Sequence, residues 1–178
     1  MRPVFLIGYM GCGKSTLGKA LAEWLDVQFI DLDDYIEEKY ESTINGIFAA
    51  AGTTKFREIE HQALREVAAA DNAVISCGGG TPCFAGNMQI MNDAGLTIWL
   101  TTTPQRISSR LCLPEQKAKR PLIKDKSDQE ILDFVAKGLK EREPFYSQSM
   151  LRFDSTRLEN VEEINETARS LAELLKNF

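Results

Sequence analysis

Residues Gly8-Tyr9-Met10-Gly11-Cys12-Gly13-Lys14-Ser15-Thr16 fit the pattern G-x-x-x-x-G-K-[ST], and their flanks decide what that pattern can fold into. Val4-Phe5-Leu6-Ile7 before it is a short apolar run of strand type. Leu17, Ala20, Leu21 and Trp24 after it recur at helical spacing as far as Leu25. A strand leading through a glycine loop into a helix turns backbone N–H groups and the positive helix end toward an anion. The segment therefore reads as a P-loop. Lys14 is expected to reach the β- and γ-phosphates of ATP, and the Ser15 hydroxyl to ligate Mg²⁺. Gly11, Cys12, Gly13 and Thr16 complete the expected ATP-binding segment.

The rest of the chain narrows the setting. Its 178 residues are enough for one domain with a full core, taken here as 1–178. A net charge of −5 argues against general binding to nucleic acid or to anionic membranes. Charge is nonetheless uneven. Residues 104–124 carry Arg106, Arg110, Lys117, Lys119, Arg120 and Lys124 against Glu115 alone, a net of +5, which leaves about −10 elsewhere. The positive charge is gathered where it can meet phosphate.

Cys12, Cys77, Cys83 and Cys112 form no C-x-x-C pair, and His61 is the only histidine. A zinc site and a histidine-rich metal centre are excluded by that inventory, as is a Ser-His-Asp triad that spares His61. Met1-Arg2-Pro3 leads straight into the first strand, leaving no room for a signal peptide, and no apolar run has membrane-spanning length. The expectation is a cytoplasmic monomer with four free thiols.

Strand-like runs alternate with helical patterns. The further strands are expected at Val27–Asp31, Ala73–Cys77, Leu96–Leu100 and Met150–Phe153, with helices at 34–40, 44–50, 54–70, 84–94, 104–112 and 128–142. Within 54–70, Phe56, Ile59, Ala63 and Val67 trace an apolar face. A last helix starts at Asn160, with Glu163 completing a capping box and Val161, Ile164, Ala168, Leu171 and Leu175 forming its stripe. Such alternation predicts an α/β fold: a three-layer αβα P-loop domain on a five-stranded parallel sheet. Ligands in such sheets bind at the carboxyl ends of the strands. Residues 113–127, polar and lysine-rich around Pro114 and Pro121, read as a mobile flap.

That rule ranks the chemistry-bearing residues. If the chain stays extended past the second strand, Asp31 and Asp33 point to one side, and Asp34 with Glu37 caps the 34–40 helix. Asp33 is then free to orient an acceptor hydroxyl and take its proton, while Asp31 suits water-mediated contact with Mg²⁺. Arg57 taken alone reads as a surface ion pair with Glu58 or Glu60. Arg142 stands before Glu143-Pro144, where a helix is expected to stop. The two arginines together can clamp a planar carboxylate. Gly78-Gly79-Gly80 after the third strand lets a ligand approach the backbone. Arg120, in the basic flap, can bring a guanidinium to the transferring phosphoryl group.

In order and spacing this set resembles the shikimate kinase family from Val4 to about Arg157. The pieces are the P-loop, Asp31-Leu32-Asp33, Phe56-Arg57-Glu58-Ile59-Glu60, Gly78-Gly79-Gly80, Arg120-Pro121-Leu122 and Arg142-Glu143-Pro144-Phe145-Tyr146. The resemblance implies transfer of the γ-phosphoryl of MgATP to the 3-hydroxyl of shikimate, on a fold like that of nucleoside monophosphate kinases. It implies Asp33 as base, Arg57 and Arg142 on the shikimate carboxylate with Gly79 donating from its backbone, and Arg120 as a lid arginine. Arg110 resembles a residue that packs on adenine. The substrate region is then about 33–60 and the lid about 113–124. The chain departs from the family at Gly46, where an acidic residue is common.

Two rivals stay open at this point. One is another small-molecule kinase, acting on gluconate or a nucleoside monophosphate. The other is a nucleotide-binding module without an acceptor, which has no use for Asp33, Arg57 and Arg142.

Overall fold

All four residues of Val4–Ile7 (β1) and of Ala73–Ser76 (β3) are buried, as strands covered on both faces must be. Gln28–Asp31 (β2), Leu96–Thr101 (β4) and Leu151–Asp154 (β5) complete a parallel sheet of order β2-β3-β1-β4-β5. Phe5 of β1 lies between Ile75 of β3 and Thr97 of β4. The edge pairs align Ile30 with Ile75 and Trp99 with Arg152. From β1 the chain first builds the β3–β2 side and then the β4–β5 side. A crevice therefore opens at the carboxyl end of β1, where ligands settle in such sheets. The computed structural model describes residues 1–84, 86–176 and 178.

Helices cover both faces: Lys14–Leu25 (α1), Leu32–Tyr40 (α2), Ile44–Val67 (α3), Asn87–Ala94 (α4), Pro104–Leu111 (α5), Pro114–Ala118 (α6), Asp128–Tyr146 (α7) and Val161–Leu175 (α8). The five-stranded parallel αβα architecture expected from the alternation is the one observed. The two helices expected at 44–50 and 54–70 are joined, but Gly52 at φ 78°, ψ 173° breaks the helical path between them. Gly46 is held in the first turn by its N–H, which donates to Thr43 Oγ1 at 3.0 Å. In place of one helix over 84–94 there is a 3₁₀ turn, Thr81–Cys83, followed by α4; Ala85 lies outside the described residues. Among the described residues no helix is long and apolar enough to cross a membrane.

Three departures bear on function. Asp34 does not cap α2. Asp31 does: its carboxylate accepts the Asp33 N–H at 3.1 Å, so the helix starts at Leu32 and extended geometry ends at Asp31. The second correction concerns α7, which continues through Pro144 to Tyr146 instead of stopping at Arg142. Proline in the final turn forfeits one backbone bond. Fully buried Tyr146 anchors that turn, and Ser147 N–H still donates to the Glu143 carbonyl at 2.9 Å. The third lies in the 113–127 stretch, which carries α6 and seats Ile123 completely in the core. Apolar stripes also shift, since Trp24 and Val161 are exposed.

Candidate active site

The loop after β1 depends on backbone that only glycine adopts easily. Gly13, N-cap of α1, has φ 98°, and a side chain there would run into Leu158. Helix α1 thus begins with open N–H groups at the sheet's carboxyl edge. Lys14 is buried, its ammonium donating to the carbonyls of Gly8 at 2.9 Å and Tyr9 at 3.1 Å. Ser15 Oγ donates to Asp31 Oδ2 at 2.6 Å and lies 3.4 Å from Ser76 Oγ. Capping α2 and receiving Ser15 use the two different oxygens of Asp31.

The glycines after β3 bring the remaining predicted residues together. A Cβ on Gly78 would sit 3.3 Å from Asp33 Oδ1. One on Gly79 would sit 3.2 Å from Arg142 Nη1, and one on Gly80 2.9 Å from Arg57 Nη1. Three consecutive glycines thus form a floor on which an aspartate and two arginines converge. The Gly79 position is also 3.3 Å from the Met10 backbone nitrogen, so this floor abuts the P-loop.

The two arginines differ in their partners. Arg57 donates to Glu60 Oε2 at 2.5 Å, and Glu60, 1% exposed, also accepts from Thr81 Oγ1 at 2.6 Å. The ion pair with Glu60 anticipated for Arg57 is real, but it is not on a solvated face. Arg142 makes no ion pair among the described residues. Its guanidinium lies over the Tyr9 ring, 4.7 Å from the centroid, with a long bond of 3.4 Å to the Gly79 carbonyl. The same carbonyl accepts the Tyr146 hydroxyl at 2.6 Å. Asp33 is pushed up to about 6, first by burial and then by the charges of Asp31 and Glu60, against the pull of Lys14.

Arg120 and Arg110, from the basic stretch 104–124, hold different partners. Arg120 donates within its own loop, to the Gln116 carbonyl at 3.1 Å and Oε1 at 2.6 Å. Arg110 bonds the Gly11 carbonyl at 3.2 Å, the Thr156 carbonyl at 3.0 Å and Glu159 Oε1 at 2.9 Å, which ties the P-loop to the segment before α8. Arg157 pairs with Glu166 at 3.1 Å.

Mg²⁺ suits this site as a water- and phosphate-bound ion. Among the described residues no cluster of three His, Cys, Asp or Glu could cage a metal. Ser15 Oγ and the Asp31 carboxylate behind it supply hard oxygens of the kind Mg²⁺ takes while keeping several waters.

Glu60, Thr81, Tyr9 and Tyr146 touch the candidate residues or their glycine floor, yet sequence reasoning named only Glu60 among them for a contact, as a candidate surface partner of Arg57. Glu60 carried a readable signal. Phe56, Glu60, Ala63 and Val67 follow helical spacing and all are buried, whereas Ile59 is only half-buried. A carboxylate on an apolar stripe needs a partner, and Arg57 three residues earlier is one.

Comparison with known proteins identifies the family. A family model described as shikimate kinase matches residues 10–173. The chain is 45% identical to a shikimate kinase of Bacteroides thetaiotaomicron over 97% of its own length and 98% of that protein's. It is also 45% identical to one of Phocaeicola vulgatus, over 98% and 99%. A crystal structure of shikimate kinase from Bacteroides thetaiotaomicron superposes with a TM-score of 0.93 at 44% identity, covering 98% of both chains. One from Acinetobacter baumannii in complex with shikimate gives 0.83 at 28%, covering 99% of this chain and 94% of that one. A gluconokinase from Sinorhizobium meliloti gives 0.59 at 18%, over 99% and 96%, a likeness of fold alone.

Proposed function

The chain belongs to the shikimate kinase family, and on that premise we propose how its own residues move the γ-phosphoryl of ATP to the 3-hydroxyl of shikimate. The observation that carries the reading is the convergence of Asp33, Arg142 and Arg57 on Gly78, Gly79 and Gly80. An acceptor with one carboxylate and several hydroxyls calls for that combination. Arg142, resting on an aromatic ring, and Arg57, braced by Glu60, take the carboxylate, while the Gly79 N–H donates to the acceptor.

ATP lies along the P-loop, its phosphates facing the backbone of Gly11, Cys12, Gly13, Ser15 and Thr16, with Arg110 on the adenine side. Mg²⁺, held at Ser15 with Asp31 behind it, would add positive charge at the β- and γ-phosphate oxygens. Lys14 exchanges the Gly8 and Tyr9 carbonyls for phosphate oxygens. Asp33 orients the 3-hydroxyl and receives its proton as that oxygen bonds to the γ-phosphorus and the bond to the departing ADP oxygen breaks. Its raised proton affinity suits the task. Arg120 leaves Gln116 and meets the transferring group as residues 113–124 close over the substrate region 33–60, excluding water. We read the enzyme as a monomer working in the cytoplasm.

The test is ADP release from MgATP with shikimate, gluconate, AMP or no acceptor. Release with shikimate alone is expected. Release with gluconate or AMP instead would overturn the roles given to Asp33, Arg57 and Arg142. ATP binding with no stimulated release would turn the protein into a nucleotide-binding module.

A further inference from the structure

Among the described residues Arg142 is a cation without an anionic partner, and something other than charge must set its direction. Two features do. Its guanidinium lies on the face of Tyr9, 4.7 Å from the ring centroid, and one nitrogen leans on the Gly79 carbonyl at 3.4 Å. The second of these is at the outer limit of a hydrogen bond; the Tyr146 hydroxyl is a further polar neighbour, and the ring face of Tyr9 supports the guanidinium from its flat side. Tyr9 is itself fixed, being 1% exposed.

The ring owes its position to an unusual helix residue. Gly138 sits in the interior of α7, where glycine costs about 1 kcal/mol relative to alanine. A Cβ at 138 would lie 2.7 Å from Tyr9 Cε2 and 2.9 Å from Cζ. The glycine makes the notch into which the ring edge fits, one turn before Arg142 on the same helix. Notch, ring and guanidinium therefore stack in sequence.

We propose that Tyr9 is a positioning residue for the acceptor: seated on Gly138, its ring face aims Arg142 at the substrate carboxylate. The inference rests on the reading of Arg142 as a carboxylate ligand. It gives the first variable residue of the phosphate loop a role in binding the acceptor, separate from the nucleotide contacts of its neighbours.

Steady-state kinetics with Tyr9→Leu, Tyr9→Phe, Gly138→Ala and Arg142→Ala test this. Tyr9→Leu should raise KM for shikimate about tenfold, with KM for ATP and kcat within about twofold. Tyr9→Phe, which keeps the ring face, should restore KM for shikimate. Gly138→Ala, which displaces the ring without changing it, should raise KM for shikimate as well, and carries the test should Tyr9→Leu not fold. Equal rises in both KM values for Tyr9→Leu and Gly138→Ala would overturn the proposal by making Tyr9 a support of the P-loop alone. So would unchanged KM values in both. If Arg142→Ala leaves KM for shikimate unchanged, the carboxylate reading itself fails and the proposal with it. If only Arg142→Ala raises it, the carboxylate reading stands and the role of Tyr9 falls.

Discussion

Glu60 holds the guanidinium of Arg57 from a position that is 1% exposed, while the arginine side chain keeps a quarter of its surface in solvent. The pair is unequal, and its two halves should respond differently to removal. Arg57→Ala leaves a buried carboxylate with Thr81 as its one remaining partner, which should cost about 3 kcal/mol. Glu60→Gln leaves a cation that can turn to water and should cost about half as much or less. Urea denaturation of both variants gives the order, and a larger loss for Glu60→Gln would contradict the burial argument. Arg57→Ala should also raise KM for shikimate more than KM for ATP.

Asp33 should show opposite effects on activity and stability. It is a half-buried carboxylate beside Asp31 and Glu60, with its proton affinity pushed up to about 6. Since the folded value exceeds the ordinary 3.8, the folded state binds more protons between pH 4 and 6, and its stability falls as pH rises through that window. At pH 7 the ionised group therefore works against folding by about 3 kcal/mol. Asp33→Asn should raise the Tm of the ligand-free protein by several degrees at pH 7, with the gain shrinking toward pH 4. Turnover should drop at least 100-fold with ATP affinity nearly unchanged. A large loss of ATP affinity on titration would move Asp33 to the metal.

The fold was largely legible because hydrophobic period and glycine placement are local. The P-loop, the strand–helix alternation and the parallel sheet all follow from short runs that are read one at a time. Element ends were less so. Asp31 caps α2 because strand and helix meet without a linker, a fact that neither Asp34 nor Glu37 advertises. Helix α7 passes Pro144 because Tyr146 is anchored by the Gly79 carbonyl 67 residues away. Within the site, residues tied to a motif were readable as candidates: Lys14, Asp33, Arg57 and Arg142. Glu60 touches Arg57 and Tyr9 touches Arg142, and such contacts between side chains leave only faint marks on spacing. Arg120 and Lys14 face carbonyls of their own loops, and the phosphate contacts expected of them from the sequence are proposals.

Arg120 should affect the chemical step more than nucleotide affinity. It is bonded to Gln116 within its own loop, so in the proposed role it reaches phosphate only on closure. A hydrogen bond formed at that stage strengthens as charge develops on the transferring oxygens. Arg120→Ala should lower kcat about 100-fold or more while the Kd for ADP changes less than about fivefold. Single-turnover kinetics with saturating ATP separate the two. A Kd change as large as the kcat change would make Arg120 a ground-state nucleotide ligand.

The glycine floor makes the sharpest test of the acceptor site, because it alters no charged group. A methyl group at position 80 would stand 2.8 Å from Cζ and 2.9 Å from Nη1 of Arg57. What it meets is the far end of a long side chain, so the fold can give way there without moving backbone. Arg57 must then leave either Glu60 or the place where it meets the acceptor. Gly80→Ala should therefore raise KM for shikimate about tenfold and leave KM for ATP within about twofold, with only a small change in Tm. Adding Arg57→Ala to Gly80→Ala should give little further increase in KM, since both changes act through one guanidinium. Additive effects in this cycle would mean that the methyl group obstructs the acceptor directly and that Arg57 is not its route.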